Sequence, residues 1–294
     1  MAKSKKEFTA QLVYEWLSSH TGYLKVSPEK VSTVLNQKKG IHAPIGLVKS
    51  VQTELRKQVS TRMPIARKAS EEVINVGVIG DLHMPFTRPE YLEFCVSTFK
   101  KYKVNQIVLI GDCIDNHFSS FHETIPDGKS AGDELDLAIK GLEPWIKTFP
   151  TAKVCIGNHD AIIHRKAIAS GISRRWIKDY NDVLGAKNWD FDIEHEICGV
   201  IYTHGTNSSG NQAALNRALN LRQSVVQGHI HTAAGVQFNA SKKDLLFGLQ
   251  VGCGVDDKSY AMAYASNNIK KSILGCGVVL ENGTLPIFVP MNLS

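Results

Sequence analysis

The stretch VCIGNHDAII, residues 154–163, places a short apolar run directly before a glycine and three consecutive polar residues. The run predicts a buried β-strand, and the residues from Ala161 onward predict a helix. Asn158 is a suitable N-cap for that helix, but a cap accounts for only one of the three polar residues. His159 and Asp160 therefore favour a functional site at the end of this strand.

Four further apolar runs end in the same way. They are VINVGVIGDLH with Asp81 and His83, NQIVLIGDCID with Asp112 and Asp115, GVIYTHG with His204, and SVVQGHIH with His229 and His231. Taken singly, each polar residue is explained by a turn or by a structural histidine. The runs alternate with longer amphipathic stretches, which is typical of βα units, and α/β proteins place their sites at the carboxyl ends of strands. We therefore expect these side chains to meet at one edge of a sheet.

The ordered set D-x-H, G-D, G-N-H-D, H and G-H-x-H resembles the calcineurin-like metallophosphoesterases between Ile74 and Thr232. The resemblance implies an α/β fold, classed as α+β in some schemes, in which two sheets pack face to face with helices outside. It also implies a binuclear metal site and hydrolysis of a phosphate ester by metal-bound hydroxide.

The resemblance also assigns a role to the polar residues at these strand ends. It implies one ion bound by Asp81, His83 and His231, a second bound by Asn158, His204 and His229, and Asp112 as the bridge between them. It implies that His159 acts on the leaving group and that Asp160 is its hydrogen-bond partner. Carboxylate, amide and imidazole ligands suit Mn, Fe, Zn or Mg, and we expect two divalent ions, with Mn preferred.

The second motif departs from the pattern of family members that act on phosphoproteins. Those proteins continue as G-D-x-V-D-R-G, whereas this chain reads GDCIDNHFSSFHET. The long segment 115–136 predicts a loop at the rim of the site and resembles the loop of phage and prophage proteins of this superfamily. The predicted substrate contacts are Asp115, Asn116, His117 and Arg165, with His122 and His164 as further candidates. The alternative for each is an ordinary surface or loop position.

Charge is distributed unevenly along the 294 residues, whose net charge is +6. Residues 1–70 contain 13 Lys and Arg against 4 Glu, a net of +9, so residues 71–294 carry −3. Such an imbalance indicates an appended basic module. Three helical patterns lie within it: EFTAQLVYEWLSSH, SPEKVSTVLNQKKG with Ser27 as a cap and Gly40 at its end, and PIGLVKSVQTELRKQ.

These patterns predict a small all-α basic module at residues 1–60, a linker at 61–72 and the phosphoesterase domain at 73–294. Basic modules suit nucleic acid, DNA or RNA. The alternative is an oligomerisation or partner-binding element, and the sequence leaves the two equally open. The candidate nucleic-acid contacts are Lys38, Lys39, Lys49, Arg56 and Lys57.

Composition favours a soluble globular protein, with 43% hydrophobic and 21% charged residues. We see no signal peptide and no apolar stretch long enough for a membrane, so we expect a cytoplasmic protein with no membrane partner. Six widely spaced cysteines are expected to be reduced core residues.

Three functions are compatible with these observations, and the oligomeric state is open in all three. Hydrolysis of a phosphodiester in nucleic acid is favoured by the basic module. The alternatives are a phosphomonoesterase or nucleotide hydrolase, and a non-catalytic nucleic-acid or protein binder that retains the fold.

Overall fold

A computed structural model of the chain describes residues 5–61, 73–120, 128–256, 259 and 270–292. The chain divides into two compact units, Met1–Glu72 and Val73–Ser294, which are described separately. Of the predicted linker, Thr61 ends a helix of the first unit and residues 62–72 lie outside the described residues.

The first unit is helical. Its helices are α1 (Lys5–Ser19), α2 (Pro28–Lys39) and α3 (Ile45–Thr61), with a 3₁₀ turn at Thr21–Lys25. Apolar residues at helical spacing form its own core, including Val13, Leu17, Val31, Leu35, Val48 and Leu55. Helix α2 ends at Gly40 as predicted, and Gly40 has the left-handed conformation, with φ of 64°. Ser27 occupies the N-cap position of α2, but its side chain makes no capping hydrogen bond.

The second unit contains two sheets. Its strands are β1 (Val76–Ile79), β2 (Gln106–Leu109), β3 (Ala152–Cys155), β4 (Trp189–Asp192), β5 (Glu194–Ile197), β6 (Val200–Thr203), β7 (Ser224–Gln227), β8 (Ala234–Ala240), β9 (Leu245–Val251), β10 (Gly275–Leu280) and β11 (Leu285–Pro290). One sheet has the order β11-β10-β1-β2-β3-β4, and the other has the order β5-β6-β7-β9-β8. Strands β1 to β4 are parallel to one another, and so are β6, β7 and β9.

Alternation of side chains along the strands builds the layers. Val78 of β1 and Val108 of β2 join a core shared with Tyr202 and Leu249 of the second sheet. Their neighbours in sequence, including Ile79, face the opposite way, as the two-residue period of a strand requires. Both faces of the first sheet are therefore buried, which explains why its strands are continuous apolar runs.

Helices cover the outer faces. Tyr91 of α4 (Tyr91–Lys101) and Leu142 of α5 (Ala131–Thr148) pack on the first sheet, and Ala218 of α8 (Ala213–Leu221) packs on the second. Two shorter helices, α6 (Ile162–Ala169) and α7 (Tyr180–Leu184), follow β3. The predicted two-sheet α/β fold flanked by helices is confirmed.

The polar residues follow the carboxyl ends of β1, β2 and β3 in one sheet and of β6 and β7 in the other. The expectation of a single sheet edge is therefore wrong, because the five strands belong to two sheets. The side chains still meet, since the two sheets share one core and end at a common site.

Candidate metal centre and active site

Glycines before the polar residues allow the strand ends to approach one another. A Cβ at Gly157 would overlap the Oδ1 and backbone nitrogen of Asp112, and one at Gly228 would overlap Oδ1 of Asp81. Any larger residue would displace these carboxylates. Close packing against a buried aspartate thus explains the glycine of the G-N-H-D motif and that of the G-H-x-H motif.

One group of potential ligands forms around Asp81. His231 Nε2 lies 3.0 Å from Asp81 Oδ2, which also accepts a hydrogen bond of 2.9 Å from the backbone N–H of His229. The rings of His83 and His231 meet edge to face at 5.0 Å. One ligand atom from each of Asp81, His83 and His231 lies within 4.8 Å of the others, a spacing that a metal ion can bridge.

A second group forms around Asp112. His204 Nε2 lies 3.1 Å from Asp112 Oδ2 and 2.9 Å from Asn158 Oδ1, and the His204 and His229 rings are 5.0 Å apart. Asp112 Oδ2 is also 3.5 Å from His83 Nε2, which belongs to the first group. Asp112 therefore lies between the two groups, and the seven predicted ligands are brought together, although their binding of metal stays a prediction.

Two buried atoms support a cation at this position. Among the residues that the structure describes, neither Asp81 Oδ1 nor His83 Nε2 has a hydrogen-bond partner. An unpaired buried carboxylate oxygen is costly, and an ion would satisfy both atoms. The set of carboxylate, imidazole and carboxamide donors fits a divalent metal that prefers oxygen and nitrogen ligands.

The electrostatics of the cluster are dominated by its carboxylates. Burial lowers the pKa of His204, but the carboxylates of Asp112 and Asp81 outweigh it and raise that pKa to about 9. Burial raises the pKa of Asp112, and the surrounding histidines, first His204, hold it well below its usual range. The buried carboxylates thus favour positive charge at this position.

The backbone is strained at the same place. His83, Asp112 and His229 have φ values of 50°, 47° and 68°, in the left-handed region that side chains other than glycine seldom adopt. Such conformations cost roughly 1–3 kcal/mol each and cluster at functional sites. Here they direct the three side chains to one point.

Asp115 corrects one prediction from the sequence. It was expected to contact substrate, but only 1% of it is exposed and its Oδ1 lies 2.6 Å from His83 Nδ1. That contact orients the ring so that Nε2 faces the cluster, as carboxylates commonly do for metal-binding histidines. The carboxylate of Asp115 therefore orients the His83 ring, and in the sequence only its place three residues after Asp112 connects it with the site.

His159 is held by the second motif. Its Nδ1 donates to the backbone carbonyl of Asp115 at 2.6 Å, and its backbone N–H donates to Asp112 Oδ1 at 2.8 Å. Its side chain is 27% exposed, whereas that of Asp112 is 2% exposed, so of these two His159 is the one a substrate can reach. Burial lowers its pKa, but Asp112 and Asp115 prevail and raise it, which favours the protonated ring.

Asp160 does not have the predicted role of partner to His159. Its carboxylate accepts the backbone N–H groups of Gly157 and Ile114, at 2.9 and 3.2 Å, and so ties the loops after β3 and β2 together. Burial, aided by Asp112, raises its pKa to about 7. The helix-cap alternative for Asn158 is also wrong, because Ala161 stands at the N-cap of α6 and Asn158 contacts His204.

The other predicted substrate contacts differ in their exposure and in their hydrogen-bond partners. Asn116 donates to the carbonyl of His159 at 3.0 Å, and Arg165 is exposed on α6. The carboxylate of Glu134, which sequence reasoning missed, accepts the N–H groups of His117 and Phe118 and fixes the loop from α5. His164 contacts the hydroxyl of Tyr180 at 3.1 Å, and His122 lies outside the described residues.

The cysteines match their predicted positions with one exception. Five cysteines are buried, Cys113 among them in the core as predicted. Cys198 is exposed in the turn between β5 and β6, so the expectation of a core position fails for that residue.

In the basic module, Lys49 is exposed. The side chains of the other four predicted nucleic-acid contacts lie outside the described part of the chain: Lys38, Lys39, Arg56 and Lys57.

The family model for calcineurin-like phosphoesterases matches residues 74–247, more than half of the chain. The chain belongs to this family. The protein is therefore a metal-dependent phosphoester hydrolase, and the family predicted from the motifs is confirmed. The resemblance to phage and prophage members stays a prediction.

Solved structures that resemble this chain are distant in sequence. Vacuolar protein sorting 29 from Cryptosporidium parvum shares 14% identity, with 76% of this chain and 93% of that chain covered and a TM-score of 0.42. A metallophosphoesterase from Sphaerobacter thermophilus shares 11%, covers 75% and 89%, and has a TM-score of 0.40. Nuclease MPE from Pseudomonas putida shares 12%, covers 73% and 87%, and has a TM-score of 0.29.

No match is found among curated proteins. Within the described residues, every helix is too short or too polar to cross a bilayer.

Proposed function

We propose that this phosphoesterase uses two divalent metal ions, Mn in the first place, to hydrolyse a phosphodiester of nucleic acid. One ion would be held by Asp81, His83 and His231. The other would be held by Asn158, His204 and His229, and Asp112 would bind both ions. When bound, such ions lower the pKa of water and polarise the phosphate oxygens. The observation that carries the proposal is the position of Asp112, whose Oδ2 lies 3.1 Å from His204 Nε2 and 3.5 Å from His83 Nε2.

His159 would supply the proton for the leaving oxygen. Its Nδ1 is engaged by the carbonyl of Asp115, which leaves Nε2 as the atom that faces substrate. Asp112 and Asp115 prevail over burial and raise the pKa of His159, which favours the protonated ring that a proton donor requires. Asp115 fixes both His83 and His159, so it couples the metal ligands to the proton donor.

Charge supports nucleic acid as the substrate. Residues 1–70 carry a net charge of +9, which suits a polyanion. The alternative, a phosphomonoester or a nucleotide, requires no such module. The test is incubation of the Mn-loaded protein with a phosphomonoester, a cyclic nucleotide, a small dye phosphodiester, single- and double-stranded DNA, and RNA. Turnover of the dye diester and of polynucleotides supports the proposal, and turnover of the monoester or nucleotide alone contradicts it.

Metal loading is expected to stabilise the fold. An ion that binds only the native state at about 100 times its Kd adds roughly 2.7 kcal/mol, because unfolding disperses the carboxylates and imidazoles that would hold it. The melting temperature should therefore rise with Mn and fall again with a chelator. The Asp81→Asn variant serves as the control and should respond less. Equal melting temperatures with Mn and with chelator would contradict metal binding at this cluster.

Deletion of residues 1–72 is expected to weaken DNA binding. Every phosphate that the truncated protein no longer neutralises reduces the slope of log affinity against log salt by roughly 0.9 for duplex DNA. The remaining unit, with its own core, retains all seven predicted ligands and should still hydrolyse a dye phosphodiester. Affinity measured at several matched salt concentrations checks the expectation. Unchanged affinity and slope would instead assign the basic helices to assembly or to a protein partner.

A further inference from the structure

A second basic region lies inside the phosphoesterase unit, directly after the G-N-H-D motif. Residues 73–294 contain 21 Lys and Arg against 22 Asp and Glu. Residues 161–179 alone contain five basic side chains, Arg165, Lys166, Arg174, Arg175 and Lys178, and one acidic side chain, Asp179. Residues 161–179 therefore carry a net charge of +4, in a unit whose net charge is −1.

The same segment exposes a large aromatic ring. Trp176 is 85% exposed, which is unusual for the largest apolar side chain. It follows Arg174 and Arg175 in a 3₁₀ turn, Arg174–Trp176, whose residues are all exposed. The hydroxyl of Ser173 accepts the backbone N–H of Arg175, and the carbonyl of Ser173 accepts that of Trp176, so hydrogen bonds fix the backbone of the turn that carries the indole.

The segment borders the candidate active site. A cavity of about 360 Å³ is lined by Asn116 and Asp160 from the loops of the site and by Ile177 and Lys178 from the basic segment. Asn116 itself donates to the carbonyl of His159. The cavity lining thus runs from Asn116, which contacts His159, to Lys178, which lies two residues after Trp176.

We infer that the strip formed by Ile172, Arg174, Arg175, Trp176 and Lys178 binds single-stranded nucleic acid next to the scissile phosphate. This inference rests on the proposed nuclease function. The basic side chains suit the phosphates, and the exposed indole provides a face on which an unpaired base can stack. A duplex hides the faces of its bases, so the strip selects a strand that is already unpaired.

Binding by the full-length protein tests the inference. The His159→Asn background is used, because it slows hydrolysis while the predicted metal ligands stay intact. The probe is a fluorescein-labelled oligothymidylate of about 12 nucleotides, alone and paired with its complement. Trp176→Ala should weaken binding of the single strand roughly 5- to 150-fold, which is the loss in affinity expected when one base–aromatic stack is removed. The same variant should change duplex binding little.

Charge reversal tests the basic part of the strip. The double variant Arg174→Glu and Arg175→Glu should reduce the salt slope for the single strand by about 0.7 for each phosphate that is no longer neutralised. The matched controls are Phe238→Ala, a 54% exposed aromatic residue on β8, and the double reversal Lys242→Glu and Lys243→Glu in the β8–β9 turn. Both controls should bind like the parent protein.

Three outcomes would overturn the inference, and they are distinguishable. If the wild-type protein hydrolyses single strands but the strip variants bind them as well as the His159→Asn parent does, the strip does not bind the substrate. If Trp176→Ala weakens binding of single strand and duplex equally, stacking is not involved. If the wild-type protein hydrolyses only small esters and the His159→Asn parent binds neither probe, the proposed nuclease function is itself contradicted. Melting temperature and metal content show that each variant is folded.

Discussion

Replacing Asp112 with Asn is expected to abolish hydrolysis and to lower the bound metal. The side chain is buried between His204 and His83, and its negative charge would be shared by both ions. Asn keeps the size and the acceptor for the backbone N–H of His159, but it removes that charge. We expect a loss of roughly 10³-fold or more in kcat/KM for a dye phosphodiester, which corresponds to about 4 kcal/mol.

Metal analysis and kinetics on the purified variant check this expectation. The control is Asp136→Asn, the same chemical change at an exposed position of α5. The loss of activity in Asp115→Asn should lie between those of Asp112→Asn and Asp136→Asn, since a residue that orients a ligand commonly contributes 10- to 100-fold to activity or metal affinity. An Asp112→Asn protein with wild-type turnover and two ions per chain would rule out the bridging role.

The resemblance to the calcineurin-like family predicted the two-sheet fold, and the residue pattern itself predicted the meeting of the polar strand ends. That success has a local cause, because a glycine followed by Asp, Asn or His after an apolar run marks a strand that ends at a crowded point. Gly157 and Gly228 show the reason, since each lies against a buried aspartate and leaves no room for a Cβ. Whether those side chains bind metal stays a prediction.

The partners of the polar groups were not predictable in the same way. Asp160 is adjacent to His159 in sequence, yet its carboxylate points to backbone N–H groups of two loops. Asp115, more than forty residues earlier, holds His159 through its carbonyl and His83 through its carboxylate. Such pairings depend on the direction of each side chain in the folded loops, and residue spacing does not encode that direction.

The exposed strip was also not predicted from the sequence. Nothing in the letters SRRWIKD marks them as a site, and a tryptophan is usually buried for the most part. Only the 85% exposure of Trp176 and the cavity shared by Lys178 and Asn116 distinguish this segment. Charge averaged over residues 71–294 concealed it further, because acidic residues elsewhere cancel its excess.

Replacing His159 with Asn is expected to separate proton transfer from metal binding. Because Asp112 and Asp115 raise the pKa of His159 against the effect of burial, the ring is suited to protonate a departing alkoxide. General acid catalysis contributes ~10²–10⁴-fold, and a leaving group that is already a stable anion hardly needs it. The variant should therefore lose most of its rate on a dinucleotide and far less on the nitrophenyl ester of the same nucleotide, while its metal content is unchanged.

The comparison requires both substrates at matched saturation, so that kcat and KM are obtained for each. His42→Asn, at an exposed position of the first unit, controls for the chemical change. Loss of metal in His159→Asn would identify the ring as a ligand, which the proximity of His159 to His83 and Asp112 also permits. Equal losses on the two substrates with metal retained would show that His159 positions the phosphate and transfers no proton to the leaving group.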